Sequence, residues 1–233
     1  MTHPLDNPVL TSLTGAHASL ALVHGRAARY PADMSPFCAL AADPDEAAWA
    51  DAARLVSPGE AVAFPGQLTG SRTAPPGWEL DWLRDGVQLI ASTLDAKPDE
   101  EAVPLGPADV PDMLRLTELT RPGPFLPRTI EMGSYLGIRR DGELIAMAGE
   151  RLRPPGWTEI SAVCSDPAWR GQGLASRLIR AVAAGIVARG ETPFLHTITS
   201  NTNAIRLYEE LGFTLRRHIT FPLLRFTGAT AAG

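Results

Sequence analysis

The chain is almost without lysine: Lys97 is the only one, and arginine supplies every other basic side chain. Neither residue is clustered, and the formal net charge is −5. A grip on a phosphate backbone is therefore excluded as the main interaction, and no nucleic-acid partner is expected. Cysteine is equally scarce, since Cys38 and Cys164 are too few for a disulfide framework and fit a reducing compartment. The five histidines are scattered, with no pair at helical ligand spacing and no cysteine beside them, so no metal is expected. Long apolar runs are missing too. The most apolar stretch, Ala181 to Ala188, is bounded by Arg180 and Arg189 and is too short to span a bilayer. The opening "MTHPLDNPVL" has neither a basic leader nor an apolar run. No signal peptide and no membrane partner are expected, and the cytoplasm is the expected compartment.

What is present describes a globular chain. Its 233 residues are 45% hydrophobic and 20% charged, enough to bury one large core or two small ones. The acidic, proline-rich stretch from Asp95 to Pro111 reads as an exposed connection. It sets an expected boundary near Glu100, with an N-terminal α/β unit over 1–100 and a second unit over 101–233. In the first, "AWADAARLV" reads as a helix and "AVAFP" and "GVQLIA" as strands. "PPGW" occurs at Pro75 and at Pro154, and "DG" followed by "LIA" at Asp85 and Asp141, but in opposite order, so no repeat is inferred.

The second unit is easier to read. A helix is expected over Asp109 to Leu119, stopped by "RPGP". A hairpin is expected around Asp141-Gly142, because glycine accepts the positive φ that a tight turn needs. The strand "TEISAVCS" follows, and strict alternation would put Ile160, Ala162 and Cys164 on one face and Glu159, Ser161, Val163 and Ser165 on the other. A helix from Gly173 to Arg189, a strand "TPFLHTI", a short helix ended by Gly212 and a final strand from Phe213 to Leu224 complete the order. The expected class is α/β with a mixed sheet.

The segment "DPAWRGQGLASRL", Asp166 to Leu178, places Gly171 and Gly173 at the mouth of the long helix. A glycine-rich strand-to-helix turn leaves unpaired N–H groups at the positive end of the helix dipole, a ready site for phosphate. An ordinary helix entrance also tolerates glycine. The dinucleotide fingerprint fails at Ser176, where a third glycine is required, and the Walker loop fails for want of Gly-Lys-Ser/Thr.

"VCSDPAWRGQGLASRL" closely resembles the acetyl-CoA motif of the GNAT superfamily of N-acetyltransferases. "NTNAIRLYEELGF", Asn201 to Phe213, resembles the second motif of that superfamily at Asn201, Ala204, Leu207, Tyr208, Gly212 and Phe213. The resemblance covers roughly residues 103 to 221. It implies a GNAT-like acyltransferase fold, with the first hundred residues as a degenerate GNAT-like half in tandem with a complete one. It also implies that the strands on either side of the long helix splay apart around the pantetheine arm of acetyl-CoA, the acyl donor. Val163, Cys164 and Ser165 would then contact the acetyl-pantetheine end, and the backbone of Arg170, Gly171, Gln172, Gly173, Leu174 and Ala175 would hold the pyrophosphate. Tyr208 falls at the general-acid position. Glu159 is the candidate base, accepting a proton through water. Asn201 is a helix cap in a neighbourhood that the superfamily uses for its cofactor. Cys164 has no histidine partner in sequence and also reads as small core packing.

The implied activity is acetyl transfer to a primary amine of a small molecule or peptide; the alternative is an acyl-CoA-binding sensor or assembly module without turnover. The segment "TRPGPFLPRT" would shape the acceptor site, and Arg121 and Arg128 would favour an acidic acceptor. The N-terminal unit would wall that site or offer a homodimer surface.

Overall fold

A computed structural model of the chain describes residues 3–41, 43–68 and 72–228. The chain begins with helix α1 (Pro8–Leu13), the short strands β1 (Leu22–His24), β2 (Ala27–Arg29) and β3 (Cys38–Leu40), helix α2 (Glu46–Ala53) and strand β4 (Ala61–Ala63). Two long strands bracket the rest, β5 (Trp78–Ala91) and β11 (Phe213–Phe226). Between them come β6 (Val103–Leu105), α3 (Val110–Thr120), β7 (Tyr135–Arg140), β8 (Glu143–Glu150), β9 (Trp157–Ser165), α4 (Leu174–Ala188), β10 (Thr192–Ile198) and α5 (Thr202–Glu210). Strands β1 to β3 form a small antiparallel sheet, and the other eight form one mixed sheet in the order β4-β11-β5-β10-β9-β8-β7-β6. This is the mixed α/β architecture expected. Glu100 lies in the connection between β5 and β6. On its N-terminal side, β5 is hydrogen-bonded between β10 and β11. No helix among the described residues is long and apolar enough to cross a membrane.

Local chemistry explains the elements that position the site. The β7–β8 hairpin turns on Asp141 and Gly142, both at positive φ (50° and 85°), the geometry that matches the twist of the flanking strands. Helix α4 carries its apolar residues at helical spacing, and Leu178, Ile179, Ala183 and Ile186 are completely buried against β7, β8 and β9. Burial of an Ile or Leu side chain contributes about 1.5–3 kcal/mol, so this face holds α4 on the sheet. Arg189 caps the helix and Gly190 follows at φ 76°.

The opposite face of the sheet is covered in two parts. Helix α3 packs Met113 and Leu116 on Met147, Ala162 and Cys164. Beside it, the N-terminal residues Leu5, Val9, Tyr30, Met34 and Phe37 pack on Leu152 and Phe194.

Candidate active site

The turn from β9 into α4 is built around two left-handed residues, Gly171 at φ 78° and Gly173 at φ 72°. A β-carbon added at either would meet nothing within 4 Å. The glycines are therefore not demanded by packing within the protein; they keep the backbone itself at the surface. Gly173 is the N-cap of α4, and no side chain caps that end. Among the described residues, none of the six amides from Gly171 to Ser176 donates to a protein acceptor, and the next one, Arg177 N–H, returns to the Gly173 carbonyl at 3.1 Å. Six free amides in succession at the positive end of a helix of fifteen residues make a cradle in which an anion could sit. Arg170 stands exposed beside them without an ion pair among the described residues. A cavity of about 550 Å³ adjoins this cradle between α4 and α5, with Lys97, Gly173, Ser176, Arg180, Leu207 and Leu211 among its walls.

A gap opens next to the cradle. Strands β9 and β10 run parallel and pair only at Trp157/Thr192, Thr158/Pro193 and Glu159/Phe194. Beyond that point β9 continues to Ser165 on β8, and β10 continues to Ile198 on β5, without pairing to each other. Such diverging edges leave main-chain groups available to an extended chain laid between them.

The side chains along β9 correct the expected alternation. Ala162 adopts φ 52° and the register with β8 slips between Met147 and Gly149, which is a β-bulge. Ile160 and Val163 consequently pack together on the α4 face, whereas Ala162 and Cys164 turn to the α3 face. Val163 thus lies on the α4 face, and the Ser165 hydroxyl is buried without a hydrogen-bond partner among the described residues. The Cys164 side chain points away, and burial pushes its thiol up to about 11, far from a reactive thiolate.

Tyr208 lies on α5 on the same face as Val163, packed with Phe213 and Leu211. Burial raises its phenol to about 12. Its hydroxyl bonds to no protein group among the described residues, so it remains protonated and unengaged. Asn201 caps α5 by accepting from the Ala204 amide at 3.4 Å.

Glu159 faces the other way, towards α3 and the N-terminal segment, and is completely buried. Its Oε1 accepts from Arg151 Nη2 and from His196 Nδ1, both at 2.7 Å, and its Oε2 accepts from Arg151 Nε at 2.9 Å. Burial alone would raise its pKa, but the Arg151 charge, with the hydrogen bonds from Arg151 and His196, holds the carboxyl at about 2. A carboxylate held in this way is a permanent anion near neutrality and a poor proton acceptor. Arg151, His196 and Gln88 were not singled out by the sequence. The available signal was a single ionisable side chain other than cysteine inside each of two strands, Glu159 in β9 and His196 in β10. Arg128 does not present a free charge to an acceptor, because it pairs with Glu131 at 2.7 Å and with Asp33 at 3.3 Å. Arg121 ends α3 in a left-handed conformation at φ 50° with its side chain exposed.

Comparisons with known proteins show what the chain is similar to. A family model described as FR47-like protein matches residues 135–221. A protein of Novosphingobium aromaticivorans assigned to the GNAT family of acetyltransferases is 41% identical, with 98% of this chain covering 100% of that one at a TM-score of 0.88. The N-alpha-acetyltransferase RimI of Mycobacterium tuberculosis is 38% identical over 82 residues, which are 34% of this chain and 51% of that protein. A protein of Mycobacterium leprae is 31% identical across 57% of this chain and 42% of its own length. The chain thus spans about half the length, or less, of the curated relatives it matches.

Proposed function

The chain belongs to the GNAT family of acetyltransferases, and from that premise we propose that it transfers the acetyl group of acetyl-CoA to a primary amine by direct attack. The observation that carries this reading is the row of six unpaired amides at the N-terminus of α4, open to the surface and adjoining the β9–β10 gap. The donor's pyrophosphate takes those amides, with Arg170 adding charge. The pantetheine arm lies in the gap beside Val163 and the unpartnered Ser165 hydroxyl, which supplies a hydrogen bond. The cavity between α4 and α5 gives the nucleotide end room.

In the reaction a neutral amine forms the new N–C bond and the C–S bond breaks. The departing thiolate takes the Tyr208 proton. The phenol is raised to about 12. Burial lifts a thiol in the same direction, which narrows the mismatch between the two groups. Tyr208 recovers its proton from solvent, and the amine's surplus proton also leaves to solvent. Glu159 is not assigned as the base, because both its oxygens are engaged.

For the acceptor, we propose an α-amine of a peptide or a small-molecule amine, entering from the side that the N-terminal residues wall. Similarity to the mycobacterial RimI supports the peptide form. The test is calorimetry with acetyl-CoA on the wild type and on Gly173→Val. Valine is strained at φ 72° and its branches cover the amides, so binding is expected to vanish. Unchanged affinity would overturn the assignment. Release of free thiol dependent on an added peptide amine then tests turnover.

A further inference from the structure

We propose that Glu159 and His196 form a side-chain clasp across the point where β9 and β10 part, setting the width of the donor gap, so that both are positioning residues. The proposal rests on the acetyl-CoA reading above and goes beyond it by giving a role to a buried network that the chemistry leaves unused.

The last backbone pair between the two strands is Glu159 with Phe194. His196 lies two residues further along β10, on the same face as Phe194, and its ring reaches back to the Glu159 carboxylate at 2.7 Å. The side-chain contact therefore takes over where the main-chain ladder stops. It is braced from both sides. Arg151, just past the end of β8, grips the carboxylate with two hydrogen bonds and stacks its guanidinium over Phe37 at 4.8 Å. On the other side His196 Nε2 meets Gln88 Nε2 of β5 at 2.9 Å.

The hydrogen-bond roles in this chain are forced. Arg216 of β11 can only donate, and it donates to Gln88 Oε1 at 2.7 Å. The Leu5 carbonyl can only accept, and it accepts from Gln88 Nε2 at 3.0 Å. Gln88 must therefore present its NH₂ to the ring, so His196 accepts at Nε2 and carries its proton on Nδ1, directed at Glu159. The result is one line of hydrogen bonds running across the strands from the end of β8 to β11 through the mouth of the gap. The side chain of Glu159 is 0% exposed and that of His196 3%.

Neighbouring strands lie about 4.8 Å apart, so a gap that admits an extended chain as an added strand must open to roughly twice that. Both outer edges are fixed by ladders, to β8 and to β5. Among the described residues, no backbone pair fixes the inner edges past Glu159. A short, fully satisfied polar tie sets that distance, because its members cannot be pulled apart without leaving buried groups unpaired.

The experiment compares His196→Leu, which removes the tie, with His196→Asn, whose amide nitrogen occupies the δ position and restores a donor to Glu159. Thermal unfolding establishes that each is folded. If His196→Leu does not fold, His196→Ser, whose space can admit water, replaces it. Coenzyme A is titrated by calorimetry, and steady-state rates are taken with acetyl-CoA and a peptide amine. The tie-less variant should bind coenzyme A about tenfold more weakly and raise KM for the donor by a similar factor, with kcat at saturating donor within about threefold of wild type, and His196→Asn should recover the affinity. Wild-type affinity in the tie-less variant overturns the clasp, as does a fall confined to kcat or a folded His196→Asn that fails to recover. If the wild type itself does not bind coenzyme A, the donor reading falls and the clasp with it.

Discussion

The two edges of β10 are held by different means. Towards β5 the strand is tied by five consecutive backbone pairs, from Phe194/Ile90 to Ile198/Gly86. Towards β9 it is tied by three, after which the main chains separate and the next contact is between side chains. A ladder is insensitive to which side chain hangs on it, whereas a buried side-chain tie depends on every member. The edge along which the strands part is thus also the edge whose geometry rests on individual residues, and substitutions on the two edges should have unequal consequences.

The largest difference is expected at Arg151. Arg151→Met leaves the Glu159 carboxylate buried with its countercharge gone, and loss of one partner of a buried pair costs about 3–5 kcal/mol. Thr197→Val, on the ladder-held stretch of β10 and with no side-chain hydrogen bond among the described residues, should stay within about 0.5 kcal/mol. Urea unfolding of both checks the contrast. Equal losses would mean that the two edges do not differ. Adding Glu159→Leu to Arg151→Met should recover part of the loss, because an apolar replacement removes the stranded charge.

Acid should act on the same edge. Glu159 is held at about 2, below its ordinary 4.5, by Arg151 and His196. A carboxyl depressed in the folded state contributes stability that is fully present above 4.5 and drains away as pH falls towards 2. The contribution is on the order of 3 kcal/mol from the size of that shift. The difference in unfolding free energy between wild type and Glu159→Gln should therefore be constant from pH 7 to about 5 and shrink below it. A constant difference down to pH 3 would show that the carboxylate is not held as the geometry indicates.

Tyr208 lies on the opposite face of the sheet from that tie, and its hydroxyl has no hydrogen bond to lose among the described residues. Tyr208→Phe should leave the unfolding midpoint nearly unchanged and the donor affinity within about twofold, while kcat falls on the order of a hundredfold, the lower range for removal of a general acid. Full turnover in a folded variant would remove Tyr208 from the chemistry.

How legible each region was follows the same division. The β7–β8 hairpin was readable because Asp141-Gly142 is a local signal, and α4 because its apolar stripe repeats over fifteen residues. The opening of β5 was not: Trp78 and Leu80 pack inward between exposed Glu79 and Asp81, but the alternation breaks at Leu83 and exposed Arg84 and Asp85 follow, so the period is too short to stand out. Strands β1 to β3, three residues each, are too short for any period to show. The cradle was visible in "RGQG" because glycine is a residue type that reports backbone geometry. The clasp was not, because it exists only once β9 and β10 are known to be neighbours, and its members, Arg151, Glu159, His196 and Gln88, are far apart in the chain.

The least legible feature was the bulge, and it should also be the least sensitive to substitution. Ala162 holds φ 52° inside a strand, a conformation that costs an L-residue roughly 1–2 kcal/mol and that glycine adopts freely. Ala162→Gly relieves that cost but gives up one buried methyl group, about 0.8 kcal/mol, and adds a similar entropic penalty by loosening the unfolded chain. The opposing contributions nearly cancel, so stability should remain within about 1 kcal/mol of wild type by urea unfolding. A loss well beyond 2 kcal/mol would mean that the methyl group's packing against the α3 cluster, and not the backbone, decides which way Val163 and Cys164 face. The bulge would then be imposed from that side of the sheet, and the different behaviour of the two edges of β10 would originate in α3.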